Sequence, residues 1–212
     1  MNKLKTFLAA ATLAFVATTA SAAVVVTVEN PGQMTTTQTG VTTVDFNDGT
    51  IGAYTATALA DYTIYGVPSG IGQSAPPFGV TTSYLSVPNP LSSGTAEFVV
   101  GGDFNYFGLF WGSVDTYNTL SFYNDDSLVA SFTGGQITPL LANGNQTSDL
   151  SNRYVNFFFN GGDTFDSVRL RSTSFAFETD NHSFGVVPEP SAIALFGLGI
   201  FGLAFAARRK RS

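Results

Sequence analysis

From Ala23 to Pro190 no stretch spaces its apolar residues at the three-and-four interval of an amphipathic helix. They recur instead at every second position, in short runs cut by Gly, Asn, Asp and Pro. The clearest unit is Asn118–Tyr123, where Leu120 and Phe122 share one face and Thr119, Ser121 and Tyr123 the other. Asn124-Asp125-Asp126-Ser127 is turn chemistry, and Leu128–Phe132 returns with Leu128, Ala130 and Phe132 expected inward, a hairpin. Tyr106–Trp111 is apolar at every position but Gly108, as a central strand covered on both faces would be.

Other runs fit the same period. Ala23–Val28, Val41–Phe46, Tyr62–Tyr65, Ser83–Val87, Ala96–Val100 and Tyr154–Phe159 read as strands. Gly70–Gly79, with Pro76-Pro77, reads as a long surface loop. Val168 and Leu170 face inward between Arg169 and Arg171, and Phe175 and Phe177 close the set. About ten short strands without a helix predict an all-β fold, an antiparallel β-sandwich of jelly-roll type over residues 23–186. Twenty Phe and one Trp suit the gap between two facing sheets.

Both ends of the chain have a different character. Lys3 and Lys5, the apolar core Phe7–Ala17 and Ala20-Ser21-Ala22 follow the order of a cleavable signal peptide over residues 1–22, cut between Ala22 and Ala23. At the other end Pro188-Glu189-Pro190 precedes an uncharged run, Ser191–Ala207, and then Arg208-Arg209-Lys210-Arg211. As a helix that run spans roughly 25 Å, enough for a transmembrane segment. The basic block stays on the cytoplasmic side and places the domain beyond the membrane. The two prolines keep the tripeptide extended at the membrane face.

The order of these three parts resembles the PEP-CTERM sorting signal of Gram-negative bacteria, here over residues 187–212. The resemblance implies processing by an exosortase, a membrane protease-transpeptidase, after signal peptidase has acted. It also implies an inner-membrane precursor that passes to the envelope, the surface or the extracellular matrix.

Charge and composition exclude several functions. Between Ala23 and Pro190 the basic residues are Arg153, Arg169 and Arg171, against all fifteen acids of the chain. So acidic a domain does not bind nucleic acid, which needs clustered Lys and Arg. It repels acidic polysaccharide unless a divalent cation bridges the two. The absence of cysteine removes thiol catalysis, disulfides and thiolate metal sites. A Ser-His-acid set would have to use the single histidine, His182, which is expected at the surface just past the last strand.

The stretch Phe107–Tyr123, centred on Trp111-Gly112-Ser113-Val114-Asp115-Thr116-Tyr117-Asn118, is similar to a group of exosortase-dependent surface proteins. These share Trp-Gly-Ser-x-Asp-x-Tyr-Asn followed by a hairpin. Phe175-Ala176-Phe177-Glu178-Thr179-Asp180-Asn181 resembles the closing strand of the same group. The likeness implies an exported β-sandwich and no established activity.

Three candidate chemistries remain. Glycoside hydrolysis needs two carboxylates across a cleft. Most acids here sit in turns, which leaves Glu97 and Glu178 as the strand-borne candidates. Calcium, as a structural ion, would draw on Asp45 with Asp180 and Asn181 if their strands pair. Sugar stacking would use Tyr117, Tyr123 and Tyr154, if exposed.

The leading expectation is a non-enzymatic structural or adhesive surface protein, linked to exopolysaccharide or biofilm, with no catalytic residues and no required cofactor. The alternative is a specific carbohydrate-binding module, calcium-assisted or not. A glycoside hydrolase stands third.

Overall fold

A computed structural model describes residues 24–66, 73–138 and 141–188 of the chain. The expected signal peptide with Ala22 and Ala23 lies outside them, as do Glu189, Pro190, the apolar run 191–207 and Arg208–Arg211. Among the described residues no helix is long and apolar enough to cross a membrane.

Twelve strands run in chain order: β1 (Val25–Val28), β2 (Thr42–Val44), β3 (Ala56–Ala60), β4 (Thr63–Tyr65), β5 (Tyr84–Val87), β6 (Gly94–Phe104), β7 (Tyr106–Trp111), β8 (Asn118–Asn124), β9 (Ser127–Thr133), β10 (Arg153–Phe158), β11 (Phe165–Ser172) and β12 (Phe177–Gly185). A single helical turn, α1 (Gly134–Ile137), follows β9. The strands form a seven-stranded sheet, β1-β10-β7-β12-β5-β4 with β2 also paired to β12, and a five-stranded sheet, β3-β6-β11-β8-β9. Every pairing is antiparallel, and the expected sandwich is what forms.

Alternation explains which side chains meet between the sheets. Phe107, Leu109, Trp111, Val155, Phe157, Phe177 and Phe184 come from the larger sheet, and Phe98, Leu120, Phe122, Phe165, Val168 and Leu170 from the smaller. Trp111 stacks on Phe177 at 4.4 Å. Phe122 meets Phe157, Phe159 and Phe165, with centroids about 5 Å apart. Such rings supply most of the burial energy, and truncating one to alanine typically costs roughly 3–5 kcal/mol.

β7 is buried at all six positions, as its composition predicts. Its outer face lies under segment 29–41, through the Thr36 hydroxyl on Tyr106 Oη at 2.5 Å. Gly108 is the gap in that apolar run for a steric reason: a Cβ there would stand 2.5 Å from Tyr106 Oη and 2.7 Å from the Tyr154 ring.

Some expectations need correction, chiefly because of bulges. Leu128 is 59% exposed. The β8–β9 register shifts between Phe122 and Tyr123, so Leu128 pairs with Tyr123 and turns outward, while Ala130 and Phe132 stay against the core. β12 starts at Phe177 rather than Phe175, which leaves Asp180 and Asn181 in mid-strand instead of at its end. A shift between Asp180 and Ser183, with Asn181 at φ 50°, inserts an extra residue and reverses the alternation. His182, expected at the surface, is therefore wholly buried in the core. β3 was not anticipated; it is an exposed edge strand of mostly small residues, and its one leucine, Leu59, faces outward.

Candidate functional site

The two stretches that carry the surface-protein likeness meet at one end of the sandwich. Trp111 ends β7 and Phe177 starts β12, so the residues beyond Trp111 and before Phe177 lie side by side. Gly112 N donates to Glu178 O at 2.9 Å, which joins the 112–117 loop to β12. Asn118 Nδ2 donates to Ala176 O at 3.2 Å, and the Ser172 hydroxyl donates to Asn118 Oδ1 at 2.6 Å. The Tyr117 hydroxyl donates to Phe175 O at 2.9 Å. The polar residues of the first stretch thus serve to hold the second.

Asn152 locks the remaining wall. Its Oδ1 accepts from Phe78 N at 2.9 Å and Ser113 N at 2.8 Å, while Nδ2 donates to Asn145 O and Ser148 O. Val114 N donates to Ser151 O at 2.7 Å, and Gly144 N donates to Val114 O at 3.1 Å. Gly144 has φ +66°, and a Cβ there would lie 2.6 Å from Asp115 Oδ1, so only glycine leaves that carboxyl its place.

These loops enclose a cleft of about 580 Å³. Ser113, Asp115, Tyr117, Asn143, Gln146 and Glu178 form its polar wall. Glu178 is 4% exposed, and its Oε1 accepts from Ala75 N at 3.1 Å. Burial pushes its carboxyl up to about 7, with the charge of Asp115 adding to the effect. Asp115 is itself raised by burial. Tyr117 is raised by burial and then by Asp115. Ser113 Oγ is buried and has no hydrogen-bond partner among the described residues.

The other candidates fall elsewhere. Tyr154 is fully buried, its hydroxyl donating to Asn181 O at 3.1 Å, so it is no stacking platform. Tyr123 is half-buried, and the Arg169 guanidinium covers its ring at 3.8 Å. Of the three tyrosines, Tyr117 reaches the cleft. Glu97 lies in the five-stranded sheet, 2.9 Å from Arg169 Nε, whereas Glu178 lies in the seven-stranded one. Those two acids do not share a cleft, and the second cleft carboxyl is Asp115.

Pairing of β2 with β12 sets His182 opposite Val44 and brings the next residue, Asp45, toward Asp180 and Asn181. Asp180 is buried and pushed up to about 7 by that burial, with Asp45 adding its charge. Asp180 Oδ1 accepts from Asn181 N at 2.7 Å; Asp45 accepts from Asn47 N and Nδ2. Among the described residues no group of three or more His, Cys, Asp or Glu side chains gathers to hold a metal ion. His182 bonds Tyr54 Oη through Nδ1 and Thr179 Oγ1 through Nε2, both at 2.8 Å, and burial pushes it down to about 3. It is a neutral core residue.

At the opposite end of β12 the chain leaves the sandwich. Val187 N donates to Asn105 Oδ1 and Asn105 Nδ2 donates to Val187 O, each at 2.8 Å. The Val187 side chain is buried with Tyr106 and Phe158, and Pro188 is exposed.

Residues 186–211 match the model of the PEP-CTERM protein-sorting motif. No curated protein matches the chain. Among solved structures it is similar to CsCBM6-3 from Clostridium stercorarium, determined in complex with cellobiose. That likeness has 10% identity and a TM-score of 0.38, over 69% of this chain and 94% of the other. It is also similar to CpGH89CBM32-6 from Clostridium perfringens, at 10% identity and a TM-score of 0.33, over 59% of this chain and 93% of the other. The enzymatically active domain of tailspike protein 4 from bacteriophage CBA120 is similar at 15% identity and a TM-score of 0.36, over 68% of this chain and 20% of that one.

Proposed function

Because the chain ends in a PEP-CTERM protein-sorting motif, we propose that it is exported, processed by an exosortase and delivered to the cell surface or its matrix, where its sandwich binds glycan through the cleft beside Glu178. The reading extends the structural and adhesive role to a defined contact with exopolysaccharide, and it is one of holding rather than cutting. The observation that carries it is the polar cleft itself. Its volume of about 580 Å³ suits one or a few sugar units. Amide side chains, a hydroxyl and one tyrosine ring supply the donors, acceptors and flat face that sugars engage.

Hydrolysis has less support. Glu97 and Glu178, the strand-borne acids, belong to different sheets, and Glu97 is occupied by Arg169.

A glycan array probed with the full-length chain in detergent tests the proposal. Saturable binding to one class of sugar, abolished by Asn143→Ala with Gln146→Ala, is the expected outcome. Silence across the array returns the protein to a purely structural role.

A further inference from the structure

The cleft holds two acidic side chains and, among the described residues, no cationic one. Glu178 and Asp115 are its charged groups, and the described arginines are engaged elsewhere. Arg169 pairs with Glu97, Arg153 donates to Glu29 O, and Arg171 points outward from β11. A buried carboxylate is costly to ionise, and Glu178, which accepts from Ala75 N, has no cationic partner among the described residues. An anionic sugar would add to the repulsion, and a neutral one would leave it standing.

Ser113 Oγ is a second observation at the same place: a buried hydroxyl on a cleft-lining residue without a partner among the described residues. Ser113 and Asp115 sit on one loop, and Gly112 N binds that loop to the backbone of Glu178. Three acceptors therefore belong to one wall, and an ammonium group has three donors. A divalent metal fits less well. Calcium asks for about six to eight oxygens around a compact ion, whereas the space here is sugar-sized and no third acidic or histidine side chain joins the pair among the described residues.

We propose that the ligand of this cleft is a glycan bearing free amino groups, its ammonium seated against Glu178, Asp115 and Ser113 and its hydroxyls against Tyr117, Asn143 and Gln146. The inference rests on the glycan-binding reading and narrows it to de-N-acetylated amino sugars.

The test is calorimetric titration of the full-length chain in detergent at pH 7 with four probes of equal length: a β-1,4 glucosamine oligomer, its fully N-acetylated counterpart, a glucose oligomer and a uronic acid oligomer. The glucosamine oligomer should bind roughly tenfold or more tighter than its N-acetylated form, as expected of a charge-assisted contact. Glu178→Gln, which keeps an acceptor for Ala75 N, should erase that preference. Asp115→Asn, at a less buried position, should reduce the preference in a chain whose melting temperature is checked alongside.

Equal affinities for the two forms, a preference that survives both substitutions, strongest binding by the uronic acid oligomer, or binding that requires calcium would each overturn the amine assignment while leaving glycan binding in place. No binding by any probe would overturn both.

Discussion

Glu178, Asp180 and His182 lie within five positions of one strand, and burial moves them in opposite directions. The two acids are raised in the folded state, so they hold protons that the unfolded chain gives up above its ordinary carboxylate range. Their contribution to stability is present at low pH and lost as pH rises toward about 7. His182 is lowered, so its contribution is present above 6.5 and lost as pH falls toward about 3. Between pH 4.5 and 6.5 the raised acids outweigh the one lowered histidine, and stability should fall with rising pH. Urea midpoints across that range check it. The double variant Glu178→Gln, Asp180→Asn removes these two acids and keeps His182, and it should reverse the slope.

The core placement of His182 had a signal in the sequence. Phe177 and Phe184 must both face inward, yet they sit at odd and even positions, which requires one extra residue between them. Asn181, a residue type that tolerates positive φ, supplies it. Leu128 is the same lesson on β9, where strict alternation was assumed across a shifted register.

At the scale of elements, strands with strong alternation were legible and the loops between them were not. β7, β8 and β11 lie where their apolar period puts them, whereas β3, alanines and a threonine around one exposed leucine, carried little pattern to read. The cleft was half legible. Tyr117 and Glu178 were singled out, but their meeting depends on loops whose course is set by side-chain hydrogen bonds distant in sequence. Asn152 is the strongest of these. Removing its amide leaves Phe78 N and Ser113 N without an acceptor and two carbonyls without a donor. Asn152→Ala should cost about 3 kcal/mol or more in chemical denaturation. It should also weaken ligand binding beyond what the stability loss explains, because Ser113 and Asn145 lose their common anchor. A variant as stable as the parent would contradict this account.

For the whole molecule, the sheets and the tail divide the work. The apolar alternation builds a sandwich that holds no cysteine, and residues 186–211 match a protein-sorting motif. Mass spectrometry of the protein recovered from its surface should show a mature C-terminus that lacks Phe201 and Arg209. Molecules that retain them would mark the tail as a permanent anchor.

The Asn105–Val187 pair and the cleft stand at opposite ends of β12, about 26 Å apart at strand rise. If the protein is held at one end and grips a polymer at the other, tension runs lengthwise down this strand. The ladder bonds of β12 to β7, β5 and β2 lie across that direction, so they are sheared together instead of peeled one by one. A strand loaded this way is mechanically stiff, which is the property that a link under tension in a surface layer requires.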